Sequence, residues 1–255
     1  MKNRKVDLTL KQDSEIPLYR QLAEELEKSI NNGFYREKEK LPSENNLCKI
    51  YNVSRITVRQ ALDLLEQKEL IYTVHGKGTF VKFPVISQKL FKIVNFSKIL
   101  QDQGLKGRTI VHAFTDDFKV DVRTESIMKT NQFGPLSRLE LVGFAQGMPI
   151  VYYHSILRKD IGIRIYQHAL KLMEQGEPFS TYDILCTEKI RIGKISQIIR
   201  ACNAGREIGN ILKVPQETAI IVLETVIFDS NKVPVEFKLG YYRGDKFSFE
   251  LKREI

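Results

Sequence analysis

The stretch from Leu41 to Val81, LPSENNLCKIYNVSRITVRQALDLLEQKELIYTVHGKGTFV, leaves few folds open to the chain that carries it. Pro42 and Ser43 open a helix, with Ser43 placed to accept a hydrogen bond from an orphan N–H of the first turn. Leu47 and Ile50 are expected as its apolar stripe, and Asn52-Val53 breaks it. Ser54 starts a second helix in which Val58, Leu62 and Leu65 recur at helical spacing. Arg55, Thr57 and Arg59 then stand at the start of the second helix, off the buried stripe. A helix-turn-helix sets the N-terminal residues of its second helix against base edges in the major groove. An arginine there can bond guanine O6 and N7 together. Leu70 to Val74 follows as a β-rich run, and Thr79–Val81 returns as a second strand. The turn between them, His75-Gly76-Lys77-Gly78, has two glycines that allow positive φ. A wing of this kind lays its tip along the minor groove and phosphates.

The chain before this stretch supports it. Leu18, Leu22, Leu26 and Ile30 recur every four residues with Ala23 beside them, an amphipathic helix with Pro17 near its first turn and Gly33 as its stop. Met1–Lys5 is expected as a loose basic tail. The net charge is +9, which suits a polyanionic partner. The first 83 residues hold 15 basic and 12 acidic side chains and the rest 25 and 19, so charge does not single out the DNA module. The motif does. No apolar run is long enough to span a bilayer, and the start, MKNRKVDLTLKQD, lacks the apolar core of a signal peptide. Cys48, Cys186 and Cys202 have no metal spacing and form no even set. Cys48 is expected in core packing. These features point to the cytoplasm and away from a membrane.

Residues 1–83 are expected as one domain and 84–89, with Pro84, as a linker (Lys82 to Ser87 already reads as one). Residues 90–255 are expected as a second domain. In it Ser97 caps a short helix, Lys98 to Gln103. Thr109 to Val120 alternates like a strand with Val111, Ala113 and Thr115 on one side. Leu136–Ala145 and Met148–Leu157 flank a Gln146-Gly147 turn. Asp160–Glu174, Thr181–Leu185 and Ala204–Leu212 have helical spacing, while Lys189–Arg200 and Phe247–Lys252 are strand-like. Ala219–Asp229 and Val233–Tyr242 make a strong hairpin. The fold class expected is α+β, an N-terminal winged helix-turn-helix followed by a mainly antiparallel sheet with helices.

Three blocks, Leu41-Pro42-Ser43-Glu44, Ser54-Arg55-x-Thr57-Val58-Arg59-x-Ala61-Leu62 and Gly76-x-Gly78-Thr79-Phe80-Val81, resemble the winged helix of GntR-type bacterial transcription regulators. That family often carries arginine after the glutamate, where it touches DNA; here the residue is Asn45. The resemblance implies a DNA surface of Ser43, Asn45, Ser54, Arg55, Thr57, Arg59, His75, Gly76 and Lys77. The end of the chain, Val233-Pro234-Val235-Glu236-Phe237 and Tyr242-Arg243-Gly244-Asp245-Lys246-Phe247, is similar to the close of the UTRA ligand-sensing domain. That domain has a chorismate-lyase-like fold and follows the winged helix in the HutC subfamily. Phe179-Ser180-Thr181-Tyr182-Asp183-Ile184-Leu185 resembles another of its blocks.

What this second resemblance implies is a homodimer on an inverted-repeat operator of double-stranded DNA. A small polar metabolite, often a sugar phosphate, releases it. Ser180 matches a serine that bonds the effector and Glu236 a glutamate that faces it; Ser97, Arg138, Tyr153 and Tyr242 complete the expected effector set. Sugar-phosphate readers carry an arginine pair where this chain has Leu141 and Gly143, so a phosphate anchor would have to move to Arg138, Arg191 or another base. Neither a cofactor nor a metal is expected. Two rival readings are a ligand-independent DNA binder and an enzyme of the chorismate-lyase-like fold. His112, His154 and His168 have no nucleophile, carboxylate or metal spacing around them that would favour the enzyme.

Arg55→Ala is expected to cost about 1–3 kcal/mol and to relax base preference at one operator position. Lys77→Ala is expected to weaken all sequences alike and to lower the salt slope by about one. Gel-shift titrations check both, and equal specific binding by wild type and Arg55→Ala contradicts the first.

Overall fold

A computed structural model describes residues 10–11, 14–31, 34–35, 37–83, 85–89, 95–188 and 190–252. Gly33, Pro84 and Met1–Lys5, each given a role above, lie outside them. The chain divides into two compact units, Met1–Pro84 and Val85–Ile255.

In the first unit α1 (Leu18–Asn31), α2 (Glu44–Tyr51) and α3 (Arg55–Gln67) precede a hairpin of β1 (Ile71–Val74) and β2 (Gly78–Val81). The apolar stripes meet as the spacing requires: Leu22, Leu26, Leu47, Val58, Leu62 and Leu65 are buried together, with Ile71 and Val81 of the hairpin closing the core. Cys48 packs half-buried against it. Ile50 departs from expectation. It is 53% exposed, and Tyr51, four residues after Leu47, takes the inward place. Both short helices start on serine caps. Ser43 Oγ accepts from the Asn46 N–H at 3.3 Å and Ser54 Oγ from the Thr57 N–H at 3.1 Å. Asn52 ends α2 in the left-handed region, φ 52°, a conformation asparagine tolerates better than most side chains. β1 and β2 pair antiparallel from Ile71↔Val81 to Val74↔Gly78, and the turn uses Gly76 at φ +72°.

The second unit is built on one sheet. In chain order it holds β3 (Ile86–Lys89), α4 (Phe96–Gln101), β4 (Gly107–Thr115), α5 (Val122–Met128), α6 (Thr130–Phe133), β5 (Leu136–Ala145) and β6 (Met148–Arg158). Then come α7 (Lys159–Glu174), α8 (Thr181–Thr187), β7 (Ile192–Asn203), α9 (Gly205–Leu212), β8 (Ala219–Asp229), β9 (Pro234–Arg243) and β10 (Phe247–Glu250). Six strands pair antiparallel in the order β4-β5-β6-β9-β8-β7. Because side chains alternate along a strand, the sheet has two distinct faces. One bears Leu139, Leu141, Tyr153, Ser155, Lys238 and Tyr242, and α7 lies over it. The other bears Val142, Tyr152, Ile156 and Phe237, covered by α9 and by Met128 of α5.

Three sequence expectations need correcting here. Residues 86–89, read as linker, form β3 and pair in parallel with β10, Ile86 opposite Phe247; Ile86 is fully buried, an anchor a four-residue apolar-polar run does not advertise. The strand read over Thr109–Val120 stops at Thr115. Its register shifts between Val111 and Ala113, so Val111 faces the Leu141 side and Ala113 and Thr115 the Glu140 side. A β-bulge resets the alternation in this way. Ser97 does not cap α4. Asn95 precedes the helix, and Ser97 is its second residue. The short helices α5 and α6 also went unread, although Asp121 accepts from the Thr124 N–H at 2.9 Å as a cap at the start of α5. No helix among the described residues is long and apolar enough to cross a membrane.

Leu26 is wholly buried at the centre of the first unit. Leu26→Ala is expected to remove about 2–5 kcal/mol from its stability. The check is chemical denaturation, where the midpoint should fall with little change in slope.

Candidate functional site

Two surfaces concentrate chemistry, one in each unit. In the first unit, α3 presents Arg55 and Arg59 on its exposed first turn and a half, their side chains 58% and 61% accessible. They are not free-swinging. Glu44 Oε2, at the start of α2, lies 3.1 Å from Arg59 Nε and 3.9 Å from Arg55 Nε. Arg55 Nη2 donates to Asn45 Oδ1 at 2.5 Å. Ser54 and Thr57, expected at DNA, spend their hydroxyls on each other at 2.8 Å and so build the helix start. Ser43 caps α2. His75, Gly76 and Lys77 are exposed at the wing tip. Sequence reasoning passed over two residues here. Glu44 stands in the Leu-Pro-Ser-Glu block with nothing local to mark it as a partner of the arginines. Ile56 lies between the arginines 70% exposed, an apolar group of the kind that fits a thymine methyl.

In the second unit an open cleft lies on the Tyr153 face of the sheet. Phe96, Ile99, Tyr153, Ser180, Tyr182 and Tyr242 line one part, and Ile195, Gln197, Leu223, Thr225, Ile227 and Lys238 another, with Gln88 at the β3 side. Behind the lining lies a buried polar group. Glu236 is wholly inaccessible, and its Oε1 accepts from Thr181 Oγ1 at 2.5 Å. Lys238 Nζ donates to the same hydroxyl at 3.0 Å, lies 3.6 Å from Glu236 Oε2, and sits 5.6 Å from the Tyr153 ring centre. Glu236 Oε2 accepts no hydrogen bond.

Asp183 accepts from the Ser180 N–H at 2.7 Å and the Ser180 Oγ–H at 3.2 Å. Burial pushes its carboxyl above the usual carboxylate range, and the Ser180 donors and Lys238 pull it part of the way back. Tyr153 and Tyr242 bond each other through their phenols; burial pushes Tyr242 up to about 12 and Tyr153 well above its ordinary value, so both are neutral donors near pH 7.

Of the six residues expected at the effector, the structure brings Tyr153, Ser180 and Tyr242 together on the cleft wall, with Glu236 directly behind it. Arg138 is not there. It alternates onto the opposite face of the sheet, pairs with Glu140 at 3.2 Å and lies over the Phe118 ring at 4.4 Å. Ser97 does not line the cleft, and Arg191 is exposed ahead of β7. Lys238 was missed, yet the period of two carries it to the same face as Glu236 and Tyr242. Asp183 does carry a signal in the sequence, its three-residue spacing from Ser180, which marks a helix start.

The positions where the resemblance puts an arginine pair are closed by packing. Leu141 is fully buried. The Phe96 ring covers Gly143, where a Cβ would meet that ring at 3.0 Å and Val151 Cγ1 at 2.7 Å.

Comparison with known proteins finds matches in both units. Residues 18–81 match the family described as bacterial regulatory proteins, gntR family, and residues 103–248 match the UTRA domain. The chain is 27% identical over 247 residues to the HTH-type transcriptional repressor NagR of Bacillus subtilis, covering 95% of this chain and 97% of that one. Over 106 residues it is 34% identical to the mannosyl-D-glycerate transport/metabolism system repressor MngR of Escherichia coli, 40% of this chain and 44% of that one. The crystal structure of PhnF from Mycobacterium smegmatis shares the fold, with a TM-score of 0.64 at 21% identity over 91% of this chain and 99% of that one. The winged helix and the sensing sheet thus have counterparts in the same order, and the chain belongs to the gntR family of bacterial regulatory proteins, as a member of HutC-type architecture with a UTRA domain behind its winged helix.

Proposed function

We propose that the protein is a homodimeric repressor that holds an inverted-repeat operator with two copies of α3 and lets go when a small polar metabolite occupies the cleft beside α8. The observation that carries the DNA half is the start of α3, where Arg55 and Arg59 keep guanidinium edges open to solvent in a chain of this family. Arg55 and Arg59 take base readout, and Lys77 takes phosphate.

Two-fold operators call for two-fold proteins. β7 supports dimerisation through the second unit. It is the outermost strand of its sheet, pairs with β8 on one side only among the described residues, and exposes Ile198 and Ile199 at 47% and 46%. An uncovered edge of this length is a template for another strand. In light scattering the whole chain is expected at twice its 29.5 kDa mass, and Ile198→Lys is expected to shift it toward monomer and weaken operator binding. A wild-type monomer at micromolar concentration contradicts the proposal.

The cleft's charge favours an unphosphorylated effector. Lys238 is the only base among its described lining residues, and Thr181 and Glu236 already engage it. A phosphate is held best by bidentate arginine, and here it would approach Asp183 and Glu236 instead. Hydroxyl or amine donors suit those buried carboxylates.

A thermal-shift panel of sugars and amino sugars, each paired with its phosphate ester, tests this, since a ligand that binds only the folded state raises its melting temperature. An unphosphorylated member is expected to stabilise the protein and lower operator affinity by about 5–150-fold. Ser180→Ala and Glu236→Gln should cut that response while leaving ligand-free operator affinity near wild type. Stabilisation by phosphate esters alone contradicts the reading.

A further inference from the structure

We infer that Asn45 is a specificity-determining residue that acts through Arg55: it reads no base itself but fixes the guanidinium that does. The inference rests on the proposed DNA surface and goes beyond it by giving Asn45 a distinct task.

An arginine guanidinium carries five N–H donors in a planar fork and no acceptor. A side chain that contacts it must therefore present an oxygen, so Asn45 is oriented with Oδ1 toward Arg55 Nη2, 2.5 Å away, and its NH₂ turned outward. Glu44 Oε2 lies 3.9 Å from Arg55 Nε. Of the five donors Asn45 takes one on Nη2 and Glu44 lies nearest Nε, so both Nη1 donors and the second Nη2 donor are left, and a base can be met from the Nη1/Nη2 end. That end is one that can meet guanine O6 and N7 as a bidentate pair.

Arg55 and Asn45 lie ten residues apart on different helices, and the tight turn at Asn52 brings their side chains together. An exposed arginine otherwise samples many rotamers, and ordering it on binding weakens the readout. An arginine at position 45 would repel Arg55 rather than hold it. Asparagine at this place exchanges a second cationic contact for a preset first one. The expected consequence is a half-site in which a single guanine, opposite Arg55, dominates the preference.

The test uses the full chain and no effector. Wild type, Arg55→Ala, Asn45→Ala, Asn45→Asp and the Arg55→Ala/Asn45→Ala double variant are selected against a pool of random duplexes. Each is then titrated at fixed salt against the chosen operator and its single-base-pair variants. Wild type should select a two-fold motif with a guanine whose preference vanishes in Arg55→Ala. Asn45→Ala should lose about tenfold of discrimination at that same base pair. The double variant should be no worse there than Arg55→Ala, because the two residues act in series. Asn45→Asp, which accepts the same guanidinium hydrogen, should keep the preference.

Relaxation of a different base pair by Asn45→Ala would make Asn45 its own reader and overturn the inference. A uniform loss across all sequences would make it a phosphate contact and overturn it too, as would no change at all. If wild type selects no motif, the reading of the first unit falls and takes this inference with it.

Discussion

Lys238 is charged and almost wholly buried, and the sensing unit is arranged around that fact. A buried ammonium is tolerated only when paired and hydrogen-bonded. Its partners come from two directions. Glu236 is supplied by the same strand two residues earlier, on the same face. Thr181 is supplied by the first turn of α8, so α8 has to dock where its N-terminus meets β9. Ser180 and Asp183 fasten that turn, and the Phe179 N–H and Thr109 Oγ1 bond at 2.9 Å ties the approach to α8 to the edge strand β4. The cleft is the space left between this docked turn, the sheet and Phe96. Its polarity is a by-product of what holds Lys238, and the proposed effector would compete there for the same donors and acceptors.

The DNA-facing unit solves a related problem at its surface. Two arginines four residues apart on one helix turn repel each other, and Glu44 between them offsets the repulsion. Exposed ion pairs of this kind add little to stability. Their value lies in geometry, because a guanidinium whose plane is already set loses less freedom when it meets a base. The serine caps serve the same end. Ser54 and Thr57 fix where α3 begins and therefore which residues stand on its exposed first turn.

Much of this is legible in the chain. The winged helix can be drawn from caps, glycines and a leucine repeat, since each is a local rule. The hairpin β8–β9 and the pair β5–β6 follow from alternation around short turns. What alternation cannot supply is a bulge. The shift after Val111 moves Ala113 and Thr115 to the other face, and nothing in the residue types announces it. Arg138 lies away from the cleft for a related reason. Its charge and its nearness in register suggest an anchor, whereas parity along β5 puts it behind the sheet, three residues from Leu141 and on the opposite face. The pairing of β3 with β10 joins residues some 160 positions apart in the chain and leaves no local mark. Glu44 and Asn45 were visible as letters, but their grip on Arg55 depends on the turn angle between two helices.

The central claim is that two winged helices engage one operator together and that a ligand in the sensing unit governs both at once. Footprinting on an operator selected from random duplexes tests it most directly. The account predicts two protected half-sites, centred about 34–36 Å apart or a multiple of that spacing, that appear at the same protein concentration and vanish together as effector is added. Half-sites that fill independently, or protection that effector leaves untouched, would contradict it.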